Sequence, residues 1–385
     1  MKALGVYVHI PFCKSKCHYC DFCSAPADDD IKSNYIKCLA EEITCESSRE
    51  YLKNHCVDSI FFGGGTPTCL KQDDLCYLLK CLISSYNVSN DAEITIECNP
   101  GTVDLIALQT LKNGGFNRIS FGLQSVHDNE LSALGRIHDL KSFEETYNNA
   151  RRARFDNVNI DLMYGIPFQT EKSFEKTLQK VVSYAPEHIS AYSLKIEPGT
   201  QFYRDRDKLI LPDEDAEYNM YMTASRYLSE AGYHHYEISN YTVSGKRSRH
   251  NLKYWSCEDY AGFGLAAHSC IGSKRYENTD SLKQYLTCFE NGSFSQYNYV
   301  SVEELPSVSE FAEEHIMMRM RLSDGLSVEE FNKRFDIDFE EKYFQRIIPF
   351  INSGHIIYDP LIKRISFTDQ GMYVSNYILT EILDL

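Results

Sequence analysis

The sequence predicts an α/β protein: a partial (β/α)6 barrel of TIM-like architecture followed by a small C-terminal winged-helix-like domain. Three observations carry that expectation. Short β-rich apolar runs alternate with helix-period segments six times between residues 5 and 194. The alternation stops after Pro198, and from Pro306 onward the pattern turns to short helices and an apparent hairpin. Strands that alternate with helices pair in parallel through crossover connections, and six such units suit a barrel-like sheet better than a sandwich.

In order, the strand runs are GVYVHI (5–10), DSIFF (58–62), EITIE (93–97), NRISF (117–121), NVNIDLM (157–163) and HISAYSL (188–194). Between them lie amphipathic stretches such as IKSNYIKCLAEEI, LCYLLKCLISSY and FEKTLQKVVSY, whose apolar residues recur at helical spacing. A further helix is expected near 213–231, then a Gly- and aromatic-rich stretch through Gly272. The segment IIPFINSGHIIYDPLIKRISFT reads as helix and hairpin before a final helix. The expected organisation is therefore a barrel over 1–200, a barrel extension over 201–300 and the winged-helix-like module over 301–385.

Composition limits the function classes. Apolar residues make up 43% and charged residues 24%, enough to bury a real core. The net charge of −16 argues against a broad nucleic-acid footprint, which needs a basic face; Arg151, Arg152 and Arg154 form only a short one. The opening MKALGVYVHIPF lacks the apolar core of a secretory signal, and no apolar run reaches bilayer length. A cytoplasmic protein is expected, touching membranes only through partners. Its fourteen cysteines then read as reduced thiols, with Cys38, Cys76, Cys81 and Cys288 as small core residues.

Cys13, Cys17 and Cys20 stand apart, because they follow the first strand at x3 and x2 spacing. Thiolates this close in one loop wrap a soft-metal centre, either zinc or an iron–sulfur cluster with an open iron. Closed zinc sites need four ligands, and Cys23 is the nearest candidate for a fourth. Ligand sites in parallel barrels gather at the carboxyl ends of the strands. Gly63-Gly64-Gly65-Thr66 follows the second run, Glu97 ends the third, Gln124 and then Arg136 follow the fourth, and Asp161 lies at the end of the fifth. Each acid taken alone is as well read as a satisfied structural group; their common position at one end of one sheet favours a site.

YVHIPFCKSKCHYCDF, FFGGGTPT, IECNPGT, RISFGLQS with LGRIH, and NIDLMYGIP occur in that order. Together they resemble the successive motifs of the radical-SAM family, and more narrowly the HemN group of oxygen-independent coproporphyrinogen oxidases and its HemW relatives. The resemblance implies a radical-SAM barrel in which Cys13, Cys17 and Cys20 hold three irons of a 4Fe–4S cluster. The fourth iron would chelate S-adenosylmethionine (SAM). It further implies Tyr7 near the SAM end of the cluster, Tyr19 against adenine, and Gly64, Gly65 and Thr66 along the methionine amino group. Glu97, Gln124, Arg136 and Asp161 match SAM-contacting positions. The implied chemistry is one-electron reduction of the cluster and homolysis of SAM to methionine and a 5′-deoxyadenosyl radical.

Two branches of that family differ at readable places. The oxidase pattern CxxxCxxCxC would put its fourth cysteine at Phe22, one residue before Cys23, and the oxidases carry a longer arm ahead of the first strand. The segment His250-Asn251-Leu252-Lys253-Tyr254-Trp255 matches the HNxxYW motif of HemW-like proteins. The resemblance thus implies a heme chaperone binding heme near His250 and passing it to respiratory hemoproteins. A reductant for the cluster and a homodimer are the other expected partners. Coproporphyrinogen III oxidation is the alternative, and a non-catalytic docking role for the C-terminal module is a third.

Overall fold

A computed structural model describes residues 1–50, 52–290 and 300–383. Six parallel strands form the centre of the sheet: β1 (Lys2–Ile10), β2 (His55–Gly64), β3 (Val88–Cys98), β4 (Arg118–Gln124), β5 (Val158–Tyr164) and β6 (His188–Ser193). Each predicted apolar run falls within its strand or overlaps it to within a residue or two. The physical reason is the alternation itself. In β1, Leu4, Val6, Val8 and Ile10 are wholly buried against the outer helices, while Gly5, Tyr7 and His9 turn to the other face. Each such aliphatic side chain contributes about 1.5–3 kcal/mol by leaving water.

The segment from 201 to 304 adds strands to both edges of this sheet. The hairpin of β7 (His234–Glu237) and β8 (Asn240–Thr242) pairs antiparallel with β6. At the opposite edge β9 (Tyr260–Phe263) pairs parallel with β1, followed by antiparallel β10 (His268–Ile271), β11 (Lys274–Asn278) and β12 (Val300–Glu304). Among the described residues the result is one twelve-stranded sheet. Residues 291–299 of the expected extension lie outside the described residues. No disulfide forms among the described residues, and Cys38, Cys76, Cys81 and Cys288 lie in or against the core.

The C-terminal module carries helices Val308–Arg319, Val328–Phe335 and Phe339–Asn352 with a small antiparallel sheet. Its strands β13 (Leu326–Ser327), β14 (Ile356–Asp359) and β15 (Arg364–Phe367) lie in the order β13-β15-β14, the winged-helix-like arrangement expected. It is joined to the barrel edge rather than tethered. The Ile238 amide donates to the Arg321 carbonyl at 3.0 Å, and the Ser323 amide to the Tyr236 carbonyl at 3.0 Å. One continuous apolar core runs through both parts. Among the described residues, no helix is long and apolar enough to cross a membrane.

Candidate functional site

A cavity of about 920 Å³ opens at the carboxyl ends of the central strands. That is near the top of the range for small-molecule sites, so there is room for more than one ligand of ordinary size. Cys13, Cys17, Cys20, Tyr19, Gly64, Gly65, Thr66, Glu97, Gln124, Arg136 and Asp161 all line it. Tyr7 and His250 do not.

The cysteine loop is fastened to the glycine loop by backbone bonds. The Gly65 amide donates to the Ile10 carbonyl at 2.8 Å and the Thr66 amide to the Phe12 carbonyl at 2.7 Å. Thr66 Oγ1 points its hydroxyl at Cys13 Sγ, 3.7 Å away, and Arg136 Nη1 donates to Cys17 Sγ at 3.4 Å. Asn99 joins the two donors: its Nδ2 donates to Thr66 Oγ1 and its Oδ1 accepts from Arg136 Nη2, both at 2.7 Å. Cys23 is directed elsewhere, its thiol donating to the Asp280 carbonyl at 3.9 Å.

Tyr7 reaches this loop indirectly. Its hydroxyl donates to His9 Nδ1 at 3.1 Å, and His9 Nε2 donates to the Cys23 carbonyl at 2.9 Å. Tyr19 packs beside Leu134, Met163, Ile166 and Phe202 with the Arg136 guanidinium nearby; burial raises its hydroxyl's pKa. Gln124 has φ +68°, an uncommon value for a non-glycine residue, at a register shift between β4 and β5. That irregularity turns its side chain into the cavity.

Burial sets the electrostatics of the acids. Glu97 is pushed up to about 8, first by desolvation and then by the charge of Asp161. Asp161 is raised by desolvation, opposed by hydroxyl and amide donors. Ser120 donates to it at 2.9 Å and Asn159 Nδ2 at 2.7 Å. Arg118 lines the same floor and is 2% exposed, yet its Nε has no hydrogen-bond partner among the described residues. The Nε of Arg136 is likewise unpartnered. Buried guanidinium N–H groups without acceptors are costly, which fits a cavity built for an anionic or acceptor-rich ligand.

The donor chemistry also fits an iron–sulfur cluster. Three half-buried thiols on one loop face one cavity, and two of them already receive hydrogen bonds of the kind that tune cluster sulfurs.

The HNxxYW segment is divided by the helix Arg249–Trp255. Asn251 and Trp255 line the cavity, whereas His250 is 1% exposed and faces the barrel interior. There His250 Nδ1 meets Ser59 Oγ at 3.2 Å and Nε2 meets the Tyr254 hydroxyl at 2.9 Å. Its ring also stacks on Phe61, 5.3 Å between centroids. Burial, and secondarily Lys253, lowers its pKa to about 3. Sequence reading missed Asn99, Arg118 and Arg321 as site residues. Asn99 stood in the quoted IECNPGT motif; Arg321 carried no local signal.

Fold and site together define a radical SAM protein. Residues 7–181 match the model of the Radical SAM superfamily and residues 307–374 that of the HemN C-terminal domain. The heme chaperone HemW of Bacillus subtilis (strain 168) is 36% identical over 337 residues, 86% of each chain. The heme chaperone HemW of Lactococcus lactis subsp. lactis (strain IL1403) is 32% identical over 99% of this chain and 98% of its own. Among solved structures, the coproporphyrinogen III oxidase HemN of Escherichia coli, a radical SAM enzyme, superposes with TM-score 0.85 at 25% identity. That match covers 99% of this chain and 90% of the oxidase. The chain belongs to the HemW family.

Proposed function

We propose that this protein is a heme chaperone that carries a 4Fe–4S cluster on Cys13, Cys17 and Cys20, binds SAM beside it, and delivers heme to respiratory hemoproteins. The carrying observation is that one cavity is lined both by the three-cysteine loop and by Asn251 and Trp255 of the HNxxYW segment. The names of the curated relatives support the heme assignment.

In this reading the cluster and SAM supply one-electron chemistry when bound. The chain's own residues bind and orient. Gly64, Gly65 and Thr66 bring bare backbone close to a ligand's amino and carboxylate groups, with Glu97, Gln124, Asp161 and Arg136 as polar contacts and Tyr19 as an apolar wall. Arg136 and Thr66 direct hydrogen bonds at the thiol sulfurs, and Tyr7 steadies the loop through His9. To ligate a heme iron His250 would have to give up Ser59 or Tyr254, whichever holds the ligating nitrogen, and be uncovered from its buried place. It serves here as the buried anchor of the helix that presents Asn251 and Trp255.

The likeness to the oxidase structure supports a second reading, oxidation of coproporphyrinogen III. Anaerobic reconstitution followed by heme titration and a coproporphyrinogen assay on one preparation separates the two. The chaperone reading expects about stoichiometric heme, weakened in Trp255→Ala, and no decarboxylation. Turnover of coproporphyrinogen without heme binding would replace it with the oxidase.

A further inference from the structure

The cavity has a second end, away from the cysteine loop, where the barrel meets the C-terminal module. Arg321, Tyr373, Ser375 and Asn376 contribute to it from the module, and Asn251 and Trp255 from the barrel extension. We infer that Arg321 is the carboxylate-binding residue of this end and that it grips a propionate arm of the bound tetrapyrrole, an inference that rests on the heme reading above.

Arg321 is fixed on several sides. Its carbonyl accepts from the Ile238 amide at 3.0 Å, and its Nη2 donates to Asn376 Oδ1 at 3.0 Å. Its guanidinium carbon lies 5.8 Å from the centre of the Trp255 ring. Along its remaining edge Nε is buried and has no hydrogen-bond partner among the described residues, and the side chain lines the cavity. A guanidinium held in place with a free donor edge is preorganised for a carboxylate, which it binds through charge-assisted bonds.

The nearest opposing charge does not use that edge. Glu237 lies within electrostatic range on the barrel side, but its Oε1 is also buried and unpartnered. Desolvation pushes Glu237 up to about 8, so near neutral pH it is largely uncharged and leaves the guanidinium uncompensated. The other two arginines that line the cavity lie elsewhere. Arg136 stands by Cys17, and Arg118 stands on the floor with Glu97 and Asp161 in electrostatic range. An aromatic ring beside a half-buried, undersatisfied arginine suits a ligand that is a flat apolar ring bearing carboxylates, which is what heme is.

The test titrates the reconstituted full-length protein with heme and with heme dimethyl ester, in wild type, Arg321→Gln and Arg321→Lys. A charge-assisted bond of this kind is worth about tenfold in affinity. Wild type should bind the ester about tenfold more weakly than heme, and Arg321→Gln should bind heme at the ester's affinity with no further loss for the ester. Arg321→Lys should fall between, and iron content with the thermal melt checks that each variant is folded. Wild-type heme binding unchanged in a folded Arg321→Gln, or an equal loss for heme and ester, overturns the inference and leaves the chaperone reading standing. Wild type that binds neither compound overturns the chaperone reading and the inference with it.

Discussion

Gly65 shows how little room the site leaves for a side chain. An added Cβ would lie 2.6 Å from the Phe12 carbonyl oxygen and 2.9 Å from that of Ile10, both backbone atoms that cannot swing aside. Gly64 is as constrained, with φ +107° and a Cβ position 2.4 Å from the His9 ring. By contrast Gly245 has φ +78° but nothing within 4 Å, so only its backbone conformation opposes a substitution. Gly65→Ala must therefore push the segment Phe12–Cys13 outward, at a cost of about 1–3 kcal/mol. Because that segment carries the first thiol, iron retained per chain after anaerobic reconstitution should drop at least about twofold. Gly245→Ala should cost about 1–2 kcal/mol from its left-handed φ alone and leave iron content unchanged. Equal iron content in the two variants would refute the view that the glycine loop sets the position of the cysteine loop.

The helix Arg249–Trp255 is only seven residues long and cannot be stable on its own propensity. Its first turn is held from outside: Glu93 accepts from the amides of Arg249 at 3.1 Å and His250 at 3.2 Å. Lys253 in its last turn pairs with Asp58 at 2.8 Å and Glu258 at 3.1 Å. A carboxylate at the start and an ammonium at the end both interact favourably with the helix dipole. Glu93→Ala should cost about 1–3 kcal/mol by taking the acceptor from two helix-start amides, one buried and one part-buried. Since Trp255 is the sole tryptophan, its fluorescence should then shift at lower urea than the far-ultraviolet dichroism; coincident transitions would mean the helix is not a separable unit. This element also marks what local sequence conveys. The six central strands were legible because an apolar period of two is written into each run, and the cysteine and glycine loops because they follow those runs directly. The pairing of β9 with β1 was not, since it joins residues some 250 apart and depends on no local pattern. The orientation of His250 was hidden for the same reason: Ser59 becomes its partner only once the sheet has formed. Arg118 reads as an ordinary strand residue until the curled sheet buries it without an acceptor for Nε.

Across the whole molecule, Glu42 ties the barrel to its extension. On the first long helix (Asp29–Glu46), it accepts from the Gly264 amide at 2.9 Å, from Asn278 Nδ2 at 2.9 Å and from the Tyr285 hydroxyl. Tyr35, two turns earlier on the same face, donates to the His9 carbonyl at 2.8 Å and accepts from the Leu265 amide at 2.9 Å. One buried cluster thus joins β1, which leads into the cysteine loop, to the β9–β11 edge and the helix Leu282–Glu290. Three donors favour the carboxylate, but complete burial outweighs them and pushes Glu42 up to about 8 from an ordinary 4.5. Between those values the folded chain keeps a proton that the unfolded chain has lost. The stabilisation is therefore fully present below about pH 4.5 and is lost as pH rises toward 8. Glu237, also raised to about 8, and Glu97 in the ligand-free protein act in the same direction. The melting temperature of the ligand-free chain should fall from pH 6 to pH 8.5. Glu42→Gln should melt lower than wild type at pH 6, because its amide N–H group confronts donors, yet lose less between the two pH values. An equal loss in variant and wild type by scanning calorimetry would mean that Glu42 is ionised throughout, held by its three donors rather than by its proton.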